Sequence, residues 1–170
     1  MSIIKYFLSP HFIGFILIVV AIPVLAYGLT LPFGGRHDWN SAMYANIARN
    51  HLRYGLLQTK LGMVTNFGPR IENEAFGYFT HYPPLMPLLI TASFAAFGVH
   101  EWAARLVPVL SSLALVYFCF LIAHKLMGWR AGVLTALFLT FSPMLIYYSK
   151  IPVHETVVLG FLGLTFWAYL

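Results

Sequence analysis

Charge is scarce in this chain. Only 9% of its 170 residues are charged and only five are acidic, whereas an ordinary soluble domain is about a quarter charged. Cysteine is nearly absent. The single thiol, Cys119, excludes an internal disulfide, so a disulfide-stapled scaffold is ruled out. Lying inside an apolar run, Cys119 reads as a small buried hydrophobe. There is no internal repeat, no low-complexity tract and no tight metal motif of the His-Glu-x-x-His kind. What is plentiful is apolar surface, with 60% hydrophobic residues. That balance excludes a disordered chain and an ordinary soluble enzyme, and it leaves an integral membrane protein. The net charge of +5 comes from basic residues scattered among apolar runs. Such a pattern fits anionic lipid as a partner and not nucleic acid.

The apolar runs predict an all-α, polytopic protein. The first run, 12–31, has 20 residues without a charge, the length that a bilayer core demands. A cleavable signal peptide would have a shorter core ending in small residues. Two more spans are expected at 106–123 and 131–149. The turn between them carries Lys125 and Arg130, which favours the cytoplasmic side. Lys5 places the N-terminus there as well, and residues from Arg36 onward outside. The shorter run from Pro84 to Val99 is expected to lie at the interface, because a fourth crossing would put the Lys125–Arg130 turn outside. An apolar stretch starts at Thr156 and runs to Leu170. Its 15 residues are few for a span, so the chain reads as the front part of a longer membrane protein.

The extracytoplasmic loop, 33–105, holds most of the polar residues. Asp38 opens a helix in which Trp39, Met43 and Ile47 recur at helical spacing. Arg49 and Arg53 suit its C-terminal end, and Gly55 its stop. The stripe is expected to face the membrane surface. Asp38 is expected to cap the helix with its carboxylate or to serve as a catalytic base above the bilayer, two roles that are compatible because one oxygen can bond while the other faces a substrate. Residues 56–80 read as loop, with Glu72 and Glu74 solvated. Pro83 and Pro84 then hold His81 rigidly before the next helix. The last polar island, Ser149 to Glu155, is expected on the same outer face. There Asp38, His81, Lys150, His154 and Glu155 could meet.

These landmarks resemble the GT-C superfamily of membrane glycosyltransferases, in particular its protein-mannosyltransferase and aminoarabinose-transferase branch. The first-loop acidic helix of that family is similar to Asp38-Trp39-Asn40-Ser41-Ala42-Met43-Tyr44-Ala45-Asn46-Ile47-Ala48-Arg49. His81-Tyr82-Pro83-Pro84-Leu85 resembles its (His/Lys)-Pro-Pro-Leu element, and Phe97 to Pro108 the segment that follows. Ser142-Pro143 and Ser149 to Glu155 resemble the third-span exit. The chain departs from the pattern in three places: Trp39 stands where Glu is frequent, Tyr82 where Lys often precedes the prolines, and Glu155 where Asp is common.

The resemblance implies an inverting transfer of a sugar from a polyprenyl-phosphate carrier to an acceptor hydroxyl at the extracytoplasmic face. A phosphate leaves readily, so one carboxylate can suffice, taking the proton of the acceptor. Asp38 is the expected base; Glu155 is expected to orient the acceptor or His81, or to hold a basic partner in place, and His81 is counted with them among the catalytic residues. Arg49, Lys150, Arg105 and Tyr44 are the candidates for holding substrate and phosphate. His37, Asp38, His154 and Glu155 carry metal-ligating groups, but their spacing forms no motif, and neither a metal nor a cofactor is expected. Two rival readings are a non-catalytic truncated paralogue or assembly subunit, and a small transporter. The transporter would place ionisable groups inside the spans, where the three main runs have none.

Overall fold

The computed structural model describes residues 9–68 and 75–170. Lys5, Arg70, Glu72 and Glu74 lie outside the described residues. Among the described residues seven helices follow one another: α1 (Pro10–Leu25), α2 (Asp38–Tyr54), α3 (Leu85–Phe97), α4 (Glu101–Met127), α5 (Trp129–Thr140), α6 (Pro143–Tyr148) and α7 (His154–Tyr169). Among the described residues there is no strand, only an isolated bridge between Val64 and Tyr78. The chain divides into two compact units. One comprises Met1–Gly28, Pro108–Lys150 and Glu155–Leu170; the other comprises Leu29–Val107 and Ile151–His154.

In the first unit, helix boundaries follow capping and proline chemistry more closely than hydropathy. Ser9 caps α1, its hydroxyl accepting from the Phe12 N–H at 3.3 Å, with Pro10 in the first turn where its missing N–H costs nothing. The helix ends at Leu25, although its apolar run continues to Leu31. Gly28 takes a φ of +78°, a conformation that leads the chain out of a helix. Sixteen residues reach roughly 24 Å, short of the ~30 Å hydrocarbon core. The run 131–149 is likewise not one helix. Pro143 pushes Ser142 into an extended conformation (ψ 121°), and the run breaks into α5 and α6. The expected second span is longer than its apolar core: α4 covers 27 residues. Among the described residues it is the one helix long and apolar enough to cross a membrane.

Glycines let other helices close on α4. A Cβ at Gly14 of α1 would stand 2.8 Å from the Tyr117 ring. At Gly160 of α7 it would meet the Ser111 carbonyl oxygen at 2.9 Å, and at Gly132 of α5 the Phe120 carbonyl oxygen at 3.0 Å. Small residues at such seams are how helices approach one another where no water drives them together. Ser149 then donates to the Leu25 carbonyl at 2.8 Å, satisfying the end of α1.

In the second unit, α2 packs on α3. Met43, Tyr44, Ile47 and His51 are buried, as are Met86, Ile90, Thr91 and Phe94 of α3. This corrects the expected membrane-facing stripe. Met43 and Ile47 are core, and Trp39 is 66% exposed and takes no part in it. The reason is that α3 supplies a protein partner for the apolar face, which local periodicity cannot reveal. Gly55 ends α2 as expected, at φ +89°. The following loop is gripped by side chains of α2. Asn50 donates to the Val64 and Asn66 carbonyls at 2.9 Å each, and His51 Nε2 lies 2.7 Å from the Gly62 carbonyl oxygen.

Candidate active site

The most strongly constrained polar cluster is built around Asp38. The chain turns through Gly34 and Gly35, whose N–H groups donate to Asp38 Oδ2 at 2.8 and 2.6 Å. A Cβ at Gly35 would stand 3.1 Å from that oxygen, so the small residue permits the approach. Ser41, one turn along α2, donates to Oδ1 at 3.1 Å. Arg105, in the first turns of α4, brings Nη2 within 3.3 Å of Oδ2 and 3.4 Å of Oδ1. Its guanidinium lies 4.8 Å over the Phe33 ring and donates to the Pro32 carbonyl at 3.2 Å. Glu101 completes the frame, accepting from the Phe33 N–H at 2.7 Å.

This geometry differs from an N-cap. Asp38 is already the first helical residue, with His37 flanking it. Its backbone N–H donors come from the loop before the helix, Gly34 and Gly35, and the turn after it contributes the Ser41 hydroxyl. Burial raises its pKa, but the Gly35 and Gly34 N–H bonds, the Arg105 charge and the Ser41 hydroxyl together outweigh that, and the carboxyl is held below its ordinary value. Asp38, 9% exposed, is therefore an ionised carboxylate in a largely dry, preorganised setting.

A second cluster joins distant parts of the sequence within the same unit. The buried Tyr44 hydroxyl lies 3.3 Å from His154 Nδ1. The Tyr82 ring packs on the His154 ring with centroids 4.3 Å apart. Phe79 stands 5.8 Å from Tyr82 and 4.9 Å from the ring of His81, which is exposed. The first-loop helix, the proline element and the third-run exit are thus in contact through Tyr44, Tyr82 and His154.

The remaining sequence candidates take simpler places. Arg49 is exposed and donates to Asn46 Oδ1 at 2.5 Å. Lys150 belongs to the first unit, donating to the Tyr27 carbonyl at 2.9 Å with its ammonium 5.6 Å from the Tyr27 ring. Glu155, also in that unit, is exposed in the first turn of α7. Among the described residues no three His, Cys, Asp or Glu side chains form a metal-binding group.

Sequence reading missed two partnerships. Arg105 was a phosphate candidate, yet it is buried as the counter-ion of Asp38. A cation opening a long apolar helix needs a partner, and that signal could have found the pair. The contact of Tyr44 and Tyr82 with His154 spans up to 110 residues and leaves no local trace.

The dolichyl-phosphate-mannose-protein mannosyltransferase profile matches residues 81–170, beginning at His81 and covering more than half of the chain. The chain belongs to that family. No curated protein and no solved structure matches it. Membership makes it a glycosyltransferase-family chain of GT-C type, and together with the long apolar α4 it supports a membrane location. The matched stretch of this mannosyltransferase-family chain includes Tyr82, Arg105, Lys150, His154 and Glu155, while Asp38 precedes it.

Proposed function

We propose that the protein takes part in transfer of a sugar from a polyprenyl-phosphate donor to an acceptor hydroxyl at the extracytoplasmic membrane face, with inversion. The observation that carries this reading is the buried, ionised Asp38 beside Arg105 in a chain of the mannosyltransferase family. The acceptor oxygen would attack the anomeric carbon as its proton passes to Asp38. The bond from that carbon to the phosphate oxygen would break, and polyprenyl phosphate would leave with the electron pair. A weak base suffices because the leaving phosphate is already a stable anion and needs little protonation. Arg49 and Lys150 are the cations proposed for the phosphate, Arg105 being engaged with Asp38. Tyr44 and His81 would contact substrate, and Glu155 would orient the acceptor.

The test is Asp38→Asn in the complete protein, assayed with a polyprenyl-phosphate sugar. Turnover should fall by about 10²–10⁴-fold, the usual weight of a general base, with membrane insertion unchanged. Normal turnover removes Asp38 from the mechanism. A second reading is favoured by one observation: both Asp38 oxygens already have partners within the chain. On that reading Asp38 only pins the Gly34–Gly35 turn, as in a non-catalytic member of the fold. Loss of compact folding along with activity in Asp38→Asn would favour it.

A further inference from the structure

The turn that follows α2 carries a feature the sugar-transfer reading does not use. Thr59 is fully buried, its hydroxyl 2.9 Å from the Gly55 carbonyl oxygen and 3.2 Å from that of Leu56. The Leu61 N–H donates to the Leu56 carbonyl at 3.0 Å, and the Gly62 N–H to that of Thr59 at 2.8 Å. His51 holds the Gly62 carbonyl from the α2 side. Closure of this turn puts Lys60 and Leu61 at φ of +52° and +55°, a left-handed conformation that side-chain-bearing residues seldom adopt. Such strain persists only where surrounding contacts enforce it. Its product is a rigid tip with apolar side chains turned outward: Leu57 is 91% exposed, and Leu52, Leu56 and Leu61 are each more than 40% exposed. Charge around the tip has one sign. No acidic residue falls between Asp38 and Glu72, while Arg49, Arg53 and Lys60 are all exposed.

We propose that the Leu56–Leu61 turn is a wedge that inserts into an anionic lipid surface, its leucines entering the headgroup–acyl boundary while Lys60 and Arg53 meet lipid phosphates. Apolar side chains ringed by cations are the composition that binds such interfaces, by area and by charge together. A free leucine cluster of this kind in water would instead be an association hazard. The wedge also replaces the buried Met43–Ile47 stripe as the membrane-contacting part of the loop. It depends on neither donor nor acceptor, so it stands or falls apart from the transfer reaction.

The experiment uses the full chain with Cys119→Ser and Leu57→Cys, the new thiol carrying a polarity-sensitive fluorophore. The protein is reconstituted into vesicles of phosphatidylcholine with or without phosphatidylglycerol. The expected result is blue-shifted emission, quenched by nitroxides on the upper acyl chain. That quenching should be stronger with phosphatidylglycerol and weaker after Lys60→Glu. Water-like emission untouched by the nitroxides overturns the proposal. So does a blue shift that lipid nitroxides fail to quench and that vanishes on dilution with lipid, which would mark a second copy as the occupant. Quenching indifferent to both phosphatidylglycerol and Lys60→Glu overturns the anionic assignment. Position 57 is almost wholly exposed, so the labelled variant leaves the packing of the unit intact.

Discussion

Asp38 and Arg105 form a pair whose value depends on both members. Separated from its partner, either charge would remain in a nearly dry setting. Breaking a buried pair from one side costs about 3–5 kcal/mol. Arg105→Met should therefore lower the unfolding transition of the detergent-solubilised protein, whereas Arg105→Lys keeps the charge but loses the planar fork and should fall between. The pH response follows from the lowered pKa of Asp38. A carboxylate that binds its proton less readily when folded contributes stability above the unfolded value of 3.8, and that contribution is lost as pH falls through the lower folded value. Thermal unfolding followed from pH 6 downward should thus show a decline below about pH 4 that is diminished in Asp38→Asn. An unchanged profile in that variant would assign the acid sensitivity elsewhere.

Among the helices, close approach to α4 rests on missing side chains. Gly160 offers the clearest case, because the atom that a Cβ would meet is a backbone carbonyl oxygen, which cannot swing aside. Gly160→Val should force α7 off α4 and destabilise the first unit by about 1–3 kcal/mol, the range for overpacking. Gly14→Ala should cost less, since the Tyr117 ring can rotate away. Comparing the two variants by protease resistance in detergent separates a backbone clash from a side-chain one. A valine at 160 as resistant as the parent would remove the glycine seam as a packing determinant. Short helices carry a related lesson. Pro143 divides a hydrophobic run that hydropathy alone joins, because proline constrains the residue before it whatever the polarity around it.

For the whole molecule, a shared site requires its polar segments to emerge on one side of the bilayer. The positive turn at Lys125 and Arg130 is expected inside, and the Ser149–Glu155 segment outside. Single cysteines at Lys125 and Lys150, in a Cys119→Ser background, should react with an impermeant maleimide from opposite sides of sealed vesicles. Reaction of both from one side would refute the proposed crossing between them. If that side is the cytoplasmic one, Glu155 also loses its place in any extracytoplasmic site. Since Asp38 and Glu155 belong to different compact units, this labelling experiment bears on the sugar-transfer reading more directly than any single-residue change.

Composition and local pattern were enough for the helical class, the family, and the start and stop of α2 at Asp38 and Gly55. These depend on nearest-neighbour rules: apolar content, helical spacing, glycine at a positive φ, and short motifs. The lengths of α1, α5 and α6 were also encoded locally, in Gly28 and Pro143, but uniform hydrophobicity hid them. Which face of α2 is buried could be decided only by folding, because α3 lies some 40 residues away and its Ile90 and Phe94 take the place assumed for lipid. Folding likewise decided the partner of Asp38, which is Arg105, 67 residues distant. It decided as well the meeting of Tyr44, Tyr82 and His154. Contacts of that range are set by how helices dock, and a side chain's best partner is then whichever charge or ring the docking delivers.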